Sequence, residues 1–199
     1  MRRYWNEIKT AWVQGNLWTR LSLLVMGSGY CACDRWGKGI LMTLMEVFFF
    51  LFTGRVSWQY IRKLNTLGTV QRKETLDLTT LQKTVNHYDN SLLILLFGVV
   101  GILIIAAFVA LYVSNFKTVF RMQQMKEHGE HINTLKEDCR ELINRKFHVS
   151  LLALPVLGVI LVNVIPIIFM ICVAFTNYDM DHQPPTYLFT WVGLKNFRQ

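Results

Sequence analysis

Two stretches without an Asp, Glu, Lys or Arg constrain this chain more than any other feature. One lies between Asp89 and Lys117, the other between Lys146 and Asp179. Crossing the hydrocarbon of a bilayer takes ~20 apolar residues of helix, because each residue rises about 1.5 Å and the core is roughly 30 Å thick. Both stretches are long enough. Buried helices of soluble proteins are usually shorter and rarely come in such clean blocks. Hydrophobic residues make up 52% of the chain, which points the same way. The expected fold class is an all-α membrane protein with about three transmembrane helices and flanking amphipathic or interfacial helices.

The chain reads as seven segments. Residues 1–39 are basic and aromatic, with Arg2, Arg3, Lys9 and Arg20 beside Tyr4, Trp5, Trp12 and Trp18. Tryptophan favours the headgroup layer and arginine favours anionic lipid, so an interfacial, cytoplasmic segment is expected. Residues 17–33 continue it with an apolar stretch too short and glycine-rich to be counted as a span. Residues 40–60 read as the first transmembrane helix, densest at Val47–Phe52. Glu46 interrupts that helix. A carboxylate in hydrocarbon costs about 3 kcal/mol unless it is paired, hydrated or protonated. It is read either as a contact with a partner helix or, preferably, as a side chain near an interface or facing a neighbour through packing.

Residues 61–90 form a polar connector, external in this reading. Leu76, Leu78, Leu81 and Val85 suggest a short amphipathic helix against the membrane. Residues 91–113 are the second span. Residues 114–148 are strongly charged, and Ile132, Leu135, Leu142 and Ile143 recur at helical offsets, which predicts a solvated, cytoplasmic amphipathic helix. Residues 149–175 are the third span. Pro155 and Pro166 each remove a backbone donor there. Asn163 lies between them and could bond a freed carbonyl or a neighbouring helix. Residues 176–199 form a final polar segment, external if the spans alternate.

Positive charge sets the orientation. Residues 1–36 and 114–148 together carry twelve Lys and Arg, against seven in residues 61–90 and 176–199. The excess belongs inside, so the N-terminus is expected in the cytoplasm and the C-terminal end outside. The formal net charge of +8 flanks the apolar blocks, which suits lipid rather than nucleic acid. Cys31 and Cys33 are too close for an ordinary disulfide, and with Cys139 and Cys172 they complete no metal site. The five histidines are scattered, and no Ser/His/Asp set or glycine-rich phosphate loop occurs, so an enzyme is not expected.

Several motifs then follow one another in order. Lys146-Phe147-His148-Val149-Ser150-Leu151-Leu152-Ala153-Leu154-Pro155 precedes Asn163-Val164-Ile165-Pro166, then Ala174-Phe175-Thr176-Asn177-Tyr178. The chain closes with Phe189-Thr190-Trp191-Val192-Gly193-Leu194-Lys195-Asn196-Phe197. This order resembles the larger permease subunit of maltose/maltodextrin-type ABC importers. Trp191, Gly193, Leu194, Asn196 and Phe197 carry that family's external signature. Leu64–Thr69 and Asp89–Leu93 resemble the connector before the second helix in Gram-positive members.

The resemblance implies the N-terminal part of a type I ABC-importer permease, with residues 149–175 as its first core helix. It implies carbohydrate import, in the maltose and maltodextrin class, by alternating access across a bacterial plasma membrane. The implied partners are a second permease subunit, ATPase subunits that bind the ATP, an external sugar-binding protein and membrane lipid. No cofactor or nucleic acid is expected on this chain. The family's coupling motif is not found, and its sugar contacts lie in later helices, so a truncated product or partial sequence is expected. Pro155, Pro166, Asn163 and Glu46 are the expected helix-packing or partner contacts. The competing reading is a small structural or regulatory membrane protein that scaffolds partners through residues 115–148.

Overall fold

The structure is a computed structural model that describes residues 9, 10, 12–77 and 82–198. Arg2, Arg3, Tyr4 and Trp5 of the basic aromatic segment, and Leu78 and Leu81 of the connector, lie outside the described residues. Among the described residues, three helices are long and apolar enough to cross a membrane. They are α3 (Trp36–Lys63), α4 (Ser91–Glu127) and α6 (Phe147–Ala174). At 1.5 Å per residue, the 37 residues of α4 measure about 55 Å, nearly twice the hydrocarbon thickness. The charged end of α4, from Lys117 onward, therefore extends beyond a bilayer.

The chain forms two compact units, Met1–Phe52 with Ile105–Pro155, and Thr53–Ile104 with Val156–Gln199. In the first unit, residues 17–33 do not form a spanning helix. They fold as two five-residue helices, α1 (Leu17–Leu21) and α2 (Ser28–Ala32). Tyr30 and Cys33 pack there with Val119, Met122 and Ile132. Gly27 makes this possible, because a Cβ on it would sit 2.1 Å from the Gly39 carbonyl oxygen. Polar groups finish the join. The Gln123 side-chain oxygen accepts from the Asn16 N–H (2.9 Å) and the Thr19 hydroxyl (2.6 Å). The Tyr112 hydroxyl donates to the Leu23 carbonyl.

The charged region 114–148 is not one helix. The second span continues to Glu127 and stops at Gly129, whose φ is +70°. The Glu130 N–H bonds the Met125 carbonyl (2.8 Å) and the Gly129 N–H bonds that of Lys126 (3.2 Å). This is a glycine-closed Schellman end, which a continuous helix cannot contain. A separate helix, α5 (Leu135–Ile143), follows. Thr134 and Glu137 start it with a capping box, and the Glu137 carboxyl lies below its usual range because the Thr134 backbone and hydroxyl bond it. Arg35 reaches the Ile132 carbonyl and Lys38 pairs with Asp138, which ties this region to the start of α3.

In the second unit, the connector is a two-stranded antiparallel hairpin rather than an amphipathic helix. β1 (Glu74–Asp77) pairs with β2 (Gln82–Val85). The facing Thr75 and Thr84 hydroxyls bond at 2.9 Å. Such cross-strand β-branched pairs favour strand over helix. Leu67, Ile94, Leu95, Val99 and Phe189 form this unit's buried core, with Ile168, Phe169, Cys172 and Val173 packed against it.

Candidate functional site at the end of the third span

A helix ends with carbonyls that have no partner inside it. At the end of α6 the closing motif supplies the donors. The Val192 and Gly193 N–H groups donate to the Phe175 carbonyl at 2.9 and 3.0 Å. Gly193 then turns the chain with φ +60°, a conformation that costs glycine least. One turn of 3₁₀ helix, Gly193–Phe197, follows. It brings Asn196 back, so that its side-chain amide donates to the carbonyls of Ala174 (3.0 Å) and Thr176 (2.8 Å). Phe197 packs on Phe175 with ring centroids 5.6 Å apart. The signature is therefore a cap for the third span.

The same segment grips the other helix ends of its unit. Trp191 bridges to Thr176, and its indole N–H donates to the Leu64 carbonyl just past α3 (2.7 Å). Phe189 is fully buried, and its N–H donates to the hydroxyl of Ser91, the first residue of α4 (3.3 Å). Leu194 and Phe197 remain 60% and 61% exposed. Those two apolar side chains are available to something outside the described residues. Between Thr176 and Phe189 the chain is polar. His182 bonds Asp179 at 2.6 Å and, as the chief cause, holds that carboxyl below its usual range.

Lys63 and Asp89 complete this end, and sequence reasoning missed them. Asp89 is buried. Its carboxylate accepts from Lys63 Nζ (2.6 Å) and from the N–H groups of Thr69 (2.9 Å) and Val70 (3.2 Å). Leu67 and Gly68 both take positive φ to aim that loop. No local signal links Lys63 to Asp89, since the pair is made by tertiary folding. Asn90 caps the start of α4, as an Asn just before an apolar run favours. Its side-chain oxygen accepts from the Leu92 and Leu93 N–H groups.

The remaining sequence-predicted residues lie elsewhere. Glu46 is buried in the first unit, and its carboxylate accepts the Met26 N–H at 2.8 Å. It thus anchors the bend between α1 and α2. Pro155 and Pro166 are both within α6, and a π-helical turn, Ile160–Val164, directly precedes Ile165 and Pro166. Pro166 has no N–H to give and crowds the preceding turn, and a widened turn accommodates this. Asn163 lies in that turn, exposed. Among the described residues its side chain bonds nothing, so neither proline's freed carbonyl is satisfied by it. No residue in the most apolar stretch of α6 is buried.

Comparison with known proteins gives the context. The chain is 25% identical over 174 residues to the galactooligosaccharides transport system permease protein GanP of Bacillus subtilis (strain 168), covering 87% of this chain and 38% of that protein. It is 26% identical over 175 residues to the maltodextrin transport system permease protein MalC of Streptococcus pneumoniae serotype 4 (strain ATCC BAA-334 / TIGR4), covering 87% and 37%. It is 28% identical over 175 residues to the maltodextrin transport system permease protein MdxF of Bacillus subtilis (strain 168), again covering 87% and 37%. The chain thus spans less than two fifths of the length of these relatives. No family model and no solved structure matches it. The resemblance read from residues 64–69, 89–93 and 146–197 agrees with this: the chain is similar over 87% of its length to permease proteins of sugar transport systems.

Proposed function

We propose that this chain supplies the first three spans of a permease subunit in an ATP-driven oligosaccharide importer. The observation that carries this is the match over 87% of the chain to three permease proteins of sugar transport systems. The uncovered apolar surface of α6, with unpartnered Asn163 at its centre, supports a role as a core helix packed on a second permease subunit. ATP bound by separate ATPase subunits would bias the assembly between inward- and outward-facing states, since a ligand shifts an equilibrium only by its differential affinity. An external sugar-binding protein would deliver the substrate on the side of residues 176–198. Those residues would brace the helix ends, and exposed Leu194 and Phe197 would pack on the rest of the core.

The substrate class is an oligosaccharide. Maltodextrin is the finer reading, supported by the names of two of the three relatives and opposed by the galactooligosaccharide protein. A scaffold acting through residues 115–148 gains no support, because Lys38 and Arg35 already engage that region within the chain. The test is disruption of the coding sequence in its host, followed by uptake of labelled maltotriose and galactobiose. Uptake of at least one sugar should fall to background and return on complementation. Unchanged uptake of both would overturn the proposal.

A further inference from the structure

A neutral sugar ring is held by flat aromatic faces against its C–H surface and by polar groups free to bond its hydroxyls. Residues of both kinds line a half-open cleft of about 310 Å³ in the second unit. That volume is at the small end of ligand pockets, which run from ~300 to 1,000 Å³. Gln59 and Tyr60, near the end of α3, line one part of it, and His87 and Tyr88, after β2, line another. None of these four side chains has a hydrogen-bond partner among the described residues. Four convergent polar groups without partners would disfavour an apolar occupant, which would bury them unpaired.

The charge in the cleft is already neutralised. Lys63 and Asp89 both line it, but they are bonded to each other at 2.6 Å. An anionic ligand would have to break that pair, or draw Arg72 beside Tyr88 away from Glu74, to which it is bonded at 2.9 Å. The rings are braced in advance. Tyr60 packs on Phe97 with centroids 5.1 Å apart, and the Arg72 guanidinium lies 5.6 Å from the Tyr88 ring centre. Side chains that are already held lose less freedom when a ligand arrives.

We propose that this cleft binds one neutral saccharide ring, with Tyr60 and Tyr88 as the aromatic surfaces and Gln59 and His87 bonding its hydroxyls. Its role as a holding point for incoming sugar rests on the transport reading above; the binding itself does not. Lys63 and Asn90 line the cleft and are next in sequence to Leu64 and Ser91, whose carbonyl and hydroxyl accept from Trp191 and Phe189.

The experiment uses the full chain, purified in a detergent without a sugar headgroup and titrated with maltotriose and galactobiose by calorimetry. At least one sugar should bind saturably, and Tyr88→Ala should weaken binding by about tenfold, a change of 1.4 kcal/mol. Gln59 is exposed, so Gln59→Ala should weaken binding without disturbing the fold. Absence of saturable binding, or binding unchanged in both variants, would overturn the proposal. A parallel titration in nanodiscs carrying a diglucosyl lipid identifies the source of the ring. Competition by the lipid supports a headgroup as ligand, and its absence supports free sugar. Binding here with unaffected cellular uptake would sink the transport reading alone; lost uptake without binding would sink this site alone.

Discussion

Asn196 closes the third span with two hydrogen bonds, and its value depends on donating both. Asn196→Ala leaves two carbonyls to water and should cost about 1–2 kcal/mol, seen as a lower midpoint in thermal unfolding. Asn196→Asp keeps the shape but has no N–H to give, and should lose at least as much. An unchanged midpoint in both variants would show that the motif is not a cap. Asp89 makes a different prediction, one about pH. Burial works against its charge, but the Lys63 ammonium and the Thr69 and Val70 N–H groups outweigh burial, so the carboxyl titrates below its usual range. The folded state therefore binds this proton more weakly than the unfolded chain. The stabilisation is complete above the ordinary value of about 3.9 and is lost as pH falls through the lower folded value. Glu137 and Asp179 shift in the same direction, so the contrast of wild type with Asp89→Asn isolates the effect. Asp89→Asn should be less stable at neutral pH, and its deficit should shrink as pH falls through that acid window.

At the scale of elements, the second and third spans were legible because charge is absent from residues 90–116 and 147–178. Their ends were less so. The second span was expected to stop at Val113, yet the helix runs on because Phe116, Val119 and Met122 bury themselves. Tertiary packing there sustains a helix whose exposed face is charged, and a reading of charge alone takes the change as a boundary. The hairpin was obscured by leucines at helical spacing, while its stabilising pair, Thr75 and Thr84, looked unremarkable in sequence. Of the candidate site, the cap residues were visible as a motif, but the Lys63–Asp89 bond depends on the loop through Gly68. Gly68 takes φ +104°, and a Cβ on it would meet the Asp89 Cβ at 2.7 Å. Gly68→Ala should therefore loosen the connector, read as faster amide exchange at Thr69 and Val70. Protection equal to wild type would contradict this. Glu46 is the matching element-scale case in the first unit. Glu46→Ala strands the buried Met26 N–H and should cost about 1–3 kcal/mol, whereas Glu46→Gln keeps an acceptor and should cost less. Equal losses in the two variants would mean that the carboxylate does not serve as an acceptor there.

For the whole molecule, we propose a chain of three spans with its charged region 114–148 in the cytoplasm and its capped end outside. Among the described residues three helices suit the crossing, and residues 17–33 fold without adding a fourth. The single crossing of α6 puts residues 139 and 195 on opposite sides. Cys139 and Lys195 are both exposed, so each can report its side. The direct measurement is labelling by a membrane-impermeant maleimide in two variants. One keeps Cys139 alone, and the other has all four cysteines replaced and carries Lys195→Cys. In intact cells the Lys195→Cys chain should label and the Cys139 chain should not; in inverted vesicles the pattern should reverse. Labelling of both from the same side would contradict the crossing of α6 and with it the three spans, and the opposite pattern would contradict the orientation.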